Sequence, residues 1–324
     1  MKVVILILTW NGEAVLPDCL QSMAPQLSGE RTLLVVDNGS SDESISCVQR
    51  FCPDAAIIEN GTNLGFSGAV NVGLRNLLRS PAPDVVVLLN QDTIVAPDWL
   101  ERLVDPFSDP AVGAAGCKLL YPDGTIQHAG AYLEYPRLIA QHIGWHEHDH
   151  GQYDKTRELE YVTGAALALR VSAIEQVGFL DEGYNPAYYE DSDFIWRLRA
   201  AHYRIMYTGS AHAVHQESSS TSDQVWRSML YNRNRLRFML KTASSAAFWQ
   251  DCVPAERAFI AQHGVGDEAR ALRWAYLHAL IALDDTLQAR TALHPEDPLP
   301  RADIARTLLA FRRWISTCAR ARLS

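Results

Sequence analysis

Four short runs built almost wholly from Val, Ile, Leu and Ala set the frame: Val3–Leu8, Thr32–Val36, Ala56–Ile58 and Val85–Leu89. None alternates with polar residues, so each reads as a strand covered on both faces. Between them lie segments with apolar residues at helical spacing. Glu13–Met23 carries Val15, Cys19 and Leu20; Ser41–Phe51 carries Ile45 and Val48; Gly68–Leu78 carries Val72, Leu74 and Leu78. Strand and helix in alternation predict a parallel, doubly wound sheet over the first third of the chain. A ligand of such a sheet sits at the carboxyl ends of the strands. Those ends read Thr9-Trp10-Asn11-Gly12, Asp37-Asn38-Gly39-Ser40-Ser41-Asp42 and Asn90-Gln91-Asp92-Thr93.

Composition removes several classes. Apolar residues at 48 % and charged residues at 21 % are ordinary globular values, which excludes disorder and coiled coil. A net charge of −9 argues against a general nucleic-acid binder, because neutralising phosphates needs a basic face. The 6 cysteines (Cys19, Cys47, Cys52, Cys117, Cys252, Cys318) include no CxxC pair, so reduced thiols and a cytoplasmic protein are expected. Met1-Lys2 and the apolar run after it run straight into Thr9-Trp10-Asn11 without a small-residue cleavage site, so a buried strand is preferred to a signal peptide. No apolar stretch approaches the roughly 18–20 residues that cross a bilayer. GxGxxG after the first strand, GxxxxGK[ST] and GxSxG are all absent, which leaves dinucleotide, P-loop and α/β-hydrolase chemistry without support.

The expected organisation is a domain over 1–240, with halves 1–110 and 111–240, and a helical region over 241–324. The second half holds a hairpin (Lys118–Tyr121, a turn at Pro122-Asp123-Gly124, then Thr125–Gln127) and a Val162–Val171 strand. His142, His146, His148 and His150 fit either a metal cluster or a loop on the acceptor side; Gly144 and Gly151 in the run favour the loop. Trp226-Arg227 and Asn232-Arg233-Asn234-Arg235 fit either cations over a diphosphate or a solvated helix face. In the last helix Ile304, Leu308, Phe311 and Ile315 share a stripe opposite Arg306, Arg313 and Arg320. That stripe can meet the protein's own core, a second copy in a homodimer, or an anionic membrane surface through 301–324.

Carboxylates gather at the loop positions: Asp37, Asp42, Asp92, Asp191 and Asp193. Oxygen ligands at strand ends suit a divalent cation holding a diphosphate. The same residues serve equally as turn and helix-cap groups.

Six strings in order tip the balance: Thr9-Trp10-Asn11-Gly12, Val35-Val36-Asp37-Asn38-Gly39-Ser40-Ser41-Asp42, Asn63-Leu64-Gly65-Phe66-Ser67-Gly68-Ala69-Val70-Asn71, Leu88-Leu89-Asn90-Gln91-Asp92-Thr93, Thr163-Gly164-Ala165 and Tyr189-Glu190-Asp191-Ser192-Asp193-Phe194. Together they resemble the family-2 glycosyltransferases, especially the rhamnosyltransferase-like branch, over about residues 1–240. The resemblance implies an α/β GT-A fold, with a Rossmann-like, mostly parallel sheet flanked by helices and a C-terminal helical appendage. It further implies an inverting, non-processive transfer from a nucleotide sugar (dTDP-rhamnose or a UDP- or GDP-sugar) to a glycan, lipid-linked or small-molecule acceptor.

By the same resemblance Asp191 is the general base, while Asp92 and His215 hold Mn2+ or Mg2+. Thr9, Asn11, Asp37, Asn63, Gly65, Asn71, Asn90 and Gln91 line the nucleotide site, and Gly164 and Glu190 meet the acceptor. Asn90 stands where the family's metal motif has its first acid, which leaves Asp92 as the anionic ligand. His212 competes with His215. The chemistry needs these groups: leaving diphosphate gathers charge that a cation stabilises, and the attacking hydroxyl must lose a proton. A sugar nucleotidyltransferase is the rival enzyme, although it has no use for Asp191 as a base. A sugar-binding relative without activity is the rival of another class.

Overall fold

The structure, a computed structural model, describes residues 1–79, 81–217 and 223–321, without the side chains of 318–321. Cys318 and Arg320 therefore lie outside the described side chains. The chain divides into two units: Met1–Leu133 with Ala140–Pro186 and Glu190–Ser218, and Glu134–Ile139 with Ala187–Tyr189 and Ser219–Ser324.

The first unit begins β1 (Val3–Thr9), α1 (Leu16–Met23), β2 (Arg31–Asp37), α2 (Ser44–Phe51), β3 (Ala56–Glu59), α3 (Gly65–Leu77) and β4 (Val85–Asn90). It continues through β5 (Thr93–Val95), α4 (Trp99–Val104), β6 (Val112–Leu120), β7 (Ile126–His128), β8 (Ala131–Glu134) and β9 (Ile139–His142). The ribbon of β8 and β9 has its tip, Glu134–Ile139, in the second unit. Last come β10 (Arg157–Glu158), β11 (Ala166–Arg170), α5 (Val171–Val177), α6 (Glu190–Ala200) and β12 (Arg204–His215).

The four predicted strands form and pair in parallel in the order β4-β1-β2-β3. Beyond β4 the sheet becomes mixed: β11 enters antiparallel between β4 and β6, and β12 lies parallel to β6. Alternate side chains of the strands go to opposite cores. Ile5, Ile7, Val35, Val85 and Val87 pack with Leu16, Leu20, Val48 and Trp99 on one face. Leu6, Leu34, Val36, Val86 and Leu88 pack with Val70, Leu74, Ile174 and Phe194 on the other. This two-sided burial is why the strand sequences lack polar alternation.

Element starts differ from expectation where loops take the backbone. Helix α1 begins at Leu16 rather than Glu13, because the Gly12 and Glu13 amides donate to Ser44 Oγ (2.8 Å) and Asp42 Oδ2 (3.0 Å). Strand β11 begins at Ala166 rather than Val162, and 162–165 form a loop instead. Asp193 stands in the first turn of α6, as its reading as a helix-start residue expects, and is fully buried; it accepts from Arg197 Nε at 2.9 Å and from Tyr184 Oη at 3.1 Å.

The second unit contains α7 (Gln224–Thr242), the short α8 (Ser245–Ala247), α9 (Val253–His263), α10 (Gly266–Ile281), α11 (Leu283–Leu293) and α12 (Arg301–Ala321). The expected boundary at 240 moves to about 218. Leu236, Met239 and Leu240 of α7 share the core of this unit with Leu272, Tyr276, Ile304 and Leu308. The apolar stripe of α12 is covered by that core: Ile304, Leu308, Phe311 and Ile315 are each 5 % exposed or less. The face on which the membrane and homodimer readings relied is thus occupied within the unit. Among the described residues no helix is long and apolar enough to cross a membrane.

The 232–235 segment is also engaged inside this unit. Arg235 is buried against Glu256, whose Oε2 lies 3.1 Å from its guanidinium. Asn234 Nδ2 donates to the Ala187 and Tyr188 carbonyls, at 2.8 Å each. Those bonds hold backbone at Tyr188 and Tyr189 with φ of 80° and 72°, a region costing about 1–3 kcal/mol per bulky residue.

Asp193→Ala should lower the stability of the first unit by about 3–5 kcal/mol, since it strands the buried Arg197 guanidinium. Urea denaturation followed by circular dichroism measures it, and a loss under about 1 kcal/mol contradicts the role assigned to the pair.

Candidate active site

Strand order reverses at β1: the chain runs to β2 and β3 on one side, then returns to β4 on the other. The carboxyl ends of β1 and β4 therefore open a crevice where ligands of such sheets bind. Gln91 seams that crevice. Its Oε1 accepts from Thr9 Oγ1 (2.7 Å) and the Trp10 amide (3.1 Å), and its Nε2 donates to the Trp10 carbonyl (3.3 Å). Thr9 is buried there. Both residues, expected at the nucleotide, instead tie β1 to β4.

The neighbouring loops are similarly stitched. Asp37 accepts the amides of Gly39 and Ser40, at 3.1 Å each, and so caps its own turn. Asn11 takes a left-handed φ of 46° and accepts the Ser41 amide at 2.9 Å. Asn63 Oδ1 accepts from Asn38 Nδ2 (3.0 Å) and the Gly65 amide (2.8 Å). Gly65 is required at its place: its φ is +73°, and a Cβ would lie 2.7 Å from Asn185 Oδ1. Asn71 does not line a cleft. It is buried, donates to the Leu180 carbonyl and Glu182 (2.9 Å each), and accepts the Leu180 amide (3.0 Å), acting as a strut.

Beyond Asn90 the structure joins two residues far apart in sequence. His215 Nε2 stands 3.2 Å from Asp92 Oδ1 and 3.3 Å from Asn90 Nδ2. Register explains the choice of histidine. His215 pairs with Thr93 across β5 and β12, and the Gln216 amide donates to the Asp92 carbonyl at 2.9 Å; His212, paired with Lys118, is exposed. Gln127 Oε1 lies 2.8 Å from His215 Nδ1. With that oxygen as acceptor, the ring proton sits on Nδ1 and the Nε2 lone pair faces Asp92.

This pair fits a divalent cation. Two donors about 2.1–2.2 Å from one ion and near right angles stand ~3 Å apart, and a hydrogen-bonded Nδ1 is the usual support of a ligating imidazole. Among the described residues no group of three or more His, Cys, Asp or Glu gathers for a metal. That applies to the histidine run as well, in which His146 stacks on Tyr121 (5.2 Å between centroids). The protein thus offers one carboxylate and one imidazole, a small set of the kind that leaves room for substrate oxygens.

Asp191 lies in the first turn of α6, where the helix dipole favours a carboxylate. Its Oδ2 accepts from Tyr161 Oη (2.6 Å) and the Gly164 amide (2.9 Å), with Thr163 Oγ1 at 3.5 Å; its Oδ1 accepts the Ser192 amide at 2.7 Å. Gly164, expected to touch the acceptor, donates its amide to Asp191. A Cβ there would lie 3.2 Å from Asp191 Cβ, so the close approach depends on glycine. Glu190 is buried beside it at the head of α6. Burial, with the Asp191 charge next, pushes the Tyr161 phenol well above its ordinary pKa, so it donates. Tyr161 and Gln127 were missed in the sequence. Gln127 carries no local signal, since its partner is 88 residues away; Tyr161 stands two residues before the Thr163-Gly164-Ala165 string, the one clue available.

The two centres share one edge of the sheet. The Asn90 amide donates to the Ala165 carbonyl at 2.9 Å, directly beyond the β4–β11 pairing that sets Leu89 opposite Ala166. Asn90 faces His215, and Gly164, next to Ala165, holds Asp191.

Comparison with known proteins bears on the family and the fold. The family model described as Glycosyl transferase family 2 matches residues 4–178. The O-antigen biosynthesis protein RfbC of Myxococcus xanthus is 29 % identical over 218 residues, covering 63 % of this chain and 17 % of that protein. The N-acetylglucosaminyl-diphospho-decaprenol L-rhamnosyltransferase of Mycobacterium tuberculosis is 31 % identical over 212 residues, covering 59 % and 68 %. The chain spans only about a fifth of the length of some curated relatives, as in RfbC and in an uncharacterised protein of Sinorhizobium fredii, where the shares are 17 % and 22 %. Among solved structures, a Pyrobaculum calidifontis mannosyltransferase in complex with GDP-Man and Mn2+ superposes with TM-score 0.53 at 17 % identity, over 98 % of this chain and 84 % of that one. GalNAc-T7 with UDP, GalNAc and Mn2+ gives 0.59 at 12 % identity, over 83 % and 51 %. The fold is GT-A, and the chain belongs to glycosyl transferase family 2.

Proposed function

We propose that the chain is an inverting glycosyltransferase that moves one sugar from a nucleoside-diphosphate donor to an acceptor hydroxyl, with Asp191 as general base. The observation that carries the reading is the shared edge: a carboxylate–imidazole pair and a separately held carboxylate, joined through Asn90 and Ala165. Asn11 and Asn63 are exposed on the loops that follow β1 and β3, which supports reading those loops as the nucleotide's side of the site. A divalent cation, Mn2+ or Mg2+, held by Asp92 and His215 would neutralise the diphosphate as negative charge gathers on it. Asp191 takes the proton of the attacking hydroxyl, and a single displacement inverts the anomeric carbon.

The rhamnosyltransferase relative supports dTDP-rhamnose as the first donor to test, with UDP- and GDP-sugars beside it, and a lipid-linked glycan as the first acceptor. The five described cysteines are free thiols, which suits a cytoplasmic site of action. The nucleotidyltransferase reading leaves the clamped Asp191 without a task.

Two outcomes follow. Asp191→Asn should abolish transfer onto a synthetic polyprenyl-diphosphate N-acetylglucosamine, while UDP, GDP or dTDP with Mn2+ still raises the melting temperature as in wild type; retention of more than about a tenth of the activity contradicts the base assignment. Gln127→Leu should weaken Mn2+ binding by about tenfold to a hundredfold in calorimetry, the usual cost of losing support for a ligating imidazole. Unchanged affinity would remove His215 from the metal.

A further inference from the structure

We propose that Tyr161 is the positioning residue of the general base: its phenol fixes Asp191 Oδ2, so that Oδ1 is the oxygen that receives the acceptor's proton. The inference deepens the transferase reading and rests on it. Tyr161 is 4 % exposed and reaches Oδ2 at 2.6 Å. The Gly164 amide reaches the same oxygen at 2.9 Å, so two strong donors fill the two lone-pair directions of Oδ2. Among the described residues Oδ1 is bonded from its own neighbour, by the Ser192 amide at 2.7 Å and by the rotatable Ser192 hydroxyl at 3.3 Å. Rotation of the Ser192 hydroxyl, the longer of these two bonds, frees one lone-pair direction on Oδ1 for an incoming hydroxyl. As that hydroxyl's oxygen bonds to the anomeric carbon, the carbon's bond to diphosphate breaks with its electron pair, and the proton passes to Oδ1.

The phenol is itself held. The Ala131 amide donates to the Tyr161 carbonyl at 3.0 Å, and the His128 ring meets the Tyr161 ring edge-on, 6.4 Å between centroids at 88°. His128 is buried, and burial lowers its pKa well below the ordinary value, so it braces Tyr161 as a neutral ring. A carboxylate free to turn would present either oxygen; two donors on one of them remove that freedom.

The test is Tyr161→Phe in the full chain, assayed with dTDP-rhamnose, UDP-glucose and GDP-mannose on the polyprenyl-diphosphate N-acetylglucosamine acceptor. Expected is a kcat lowered by about tenfold to a hundredfold, as for a slightly misplaced base, with the donor KM unchanged within about twofold. A loss of nucleoside-diphosphate binding in step with kcat would mark a merely structural role and overturn the proposal. A folded Tyr161→Phe, shown by wild-type binding of the nucleoside diphosphate, with kcat within about twofold of wild type overturns the proposal. If Tyr161→Phe does not fold, 3-fluorotyrosine at 161 keeps the shape and changes only the donor's acidity: an altered kcat at constant KM supports the proposal, and an unaltered one overturns it. Full activity of Asp191→Asn would overturn the proposal by removing the base, whereas absence of any sugar transfer by the folded wild-type chain would instead overturn the transferase reading.

Discussion

The chemistry of this chain depends on one antiparallel pairing, that of β11 with β4. β4 alone delivers Asn90, Gln91 and Asp92 to a strand end, as any doubly wound sheet would. Only when β11 is laid against β4 does the Ala165 carbonyl meet the Asn90 amide, and only then is Gly164 set to hold Asp191. A parallel neighbour would have carried the 163–165 loop to the opposite end of the sheet. The change from parallel to mixed sheet is therefore what brings the Asp92–His215 pair and Asp191 to one edge.

β7 reinforces the arrangement by using both of its faces. Successive residues of a strand point oppositely, and here Gln127 turns to His215 while His128 turns to the ring of Tyr161. A three-residue strand with no obvious motif thus supports the Asp92–His215 pair on one side and the Tyr161 that holds Asp191 on the other. Gln127, His128 and Tyr161 are buried, and His215 is half-buried.

The strands β1 to β4 were legible because two-sided burial leaves an unbroken apolar run, and that signal is local. The position of His215 was legible as a resemblance, but the reason for choosing it over His212 lies in the β5–β12 register, which no local pattern encodes. Residues that looked functional by position proved to be ties. Gln91 and Asn71 carry amides that serve a ligand or a neighbouring backbone equally well, and only coordinates show that the backbone has claimed them. The domain boundary was misplaced for a related reason: α7 is amphipathic whichever unit it joins, and its partners Leu272, Tyr276 and Ile304 come later in the chain.

The most direct measurement of the central claim is anomalous diffraction at the manganese edge from crystals grown with Mn2+ and a nucleoside diphosphate. The account predicts one peak bound by Asp92 and His215 Nε2, with the diphosphate on the same ion and its terminal phosphate facing the Asp191 side of the β4–β11 edge. A peak on other residues, or a diphosphate seated away from that edge, would contradict it.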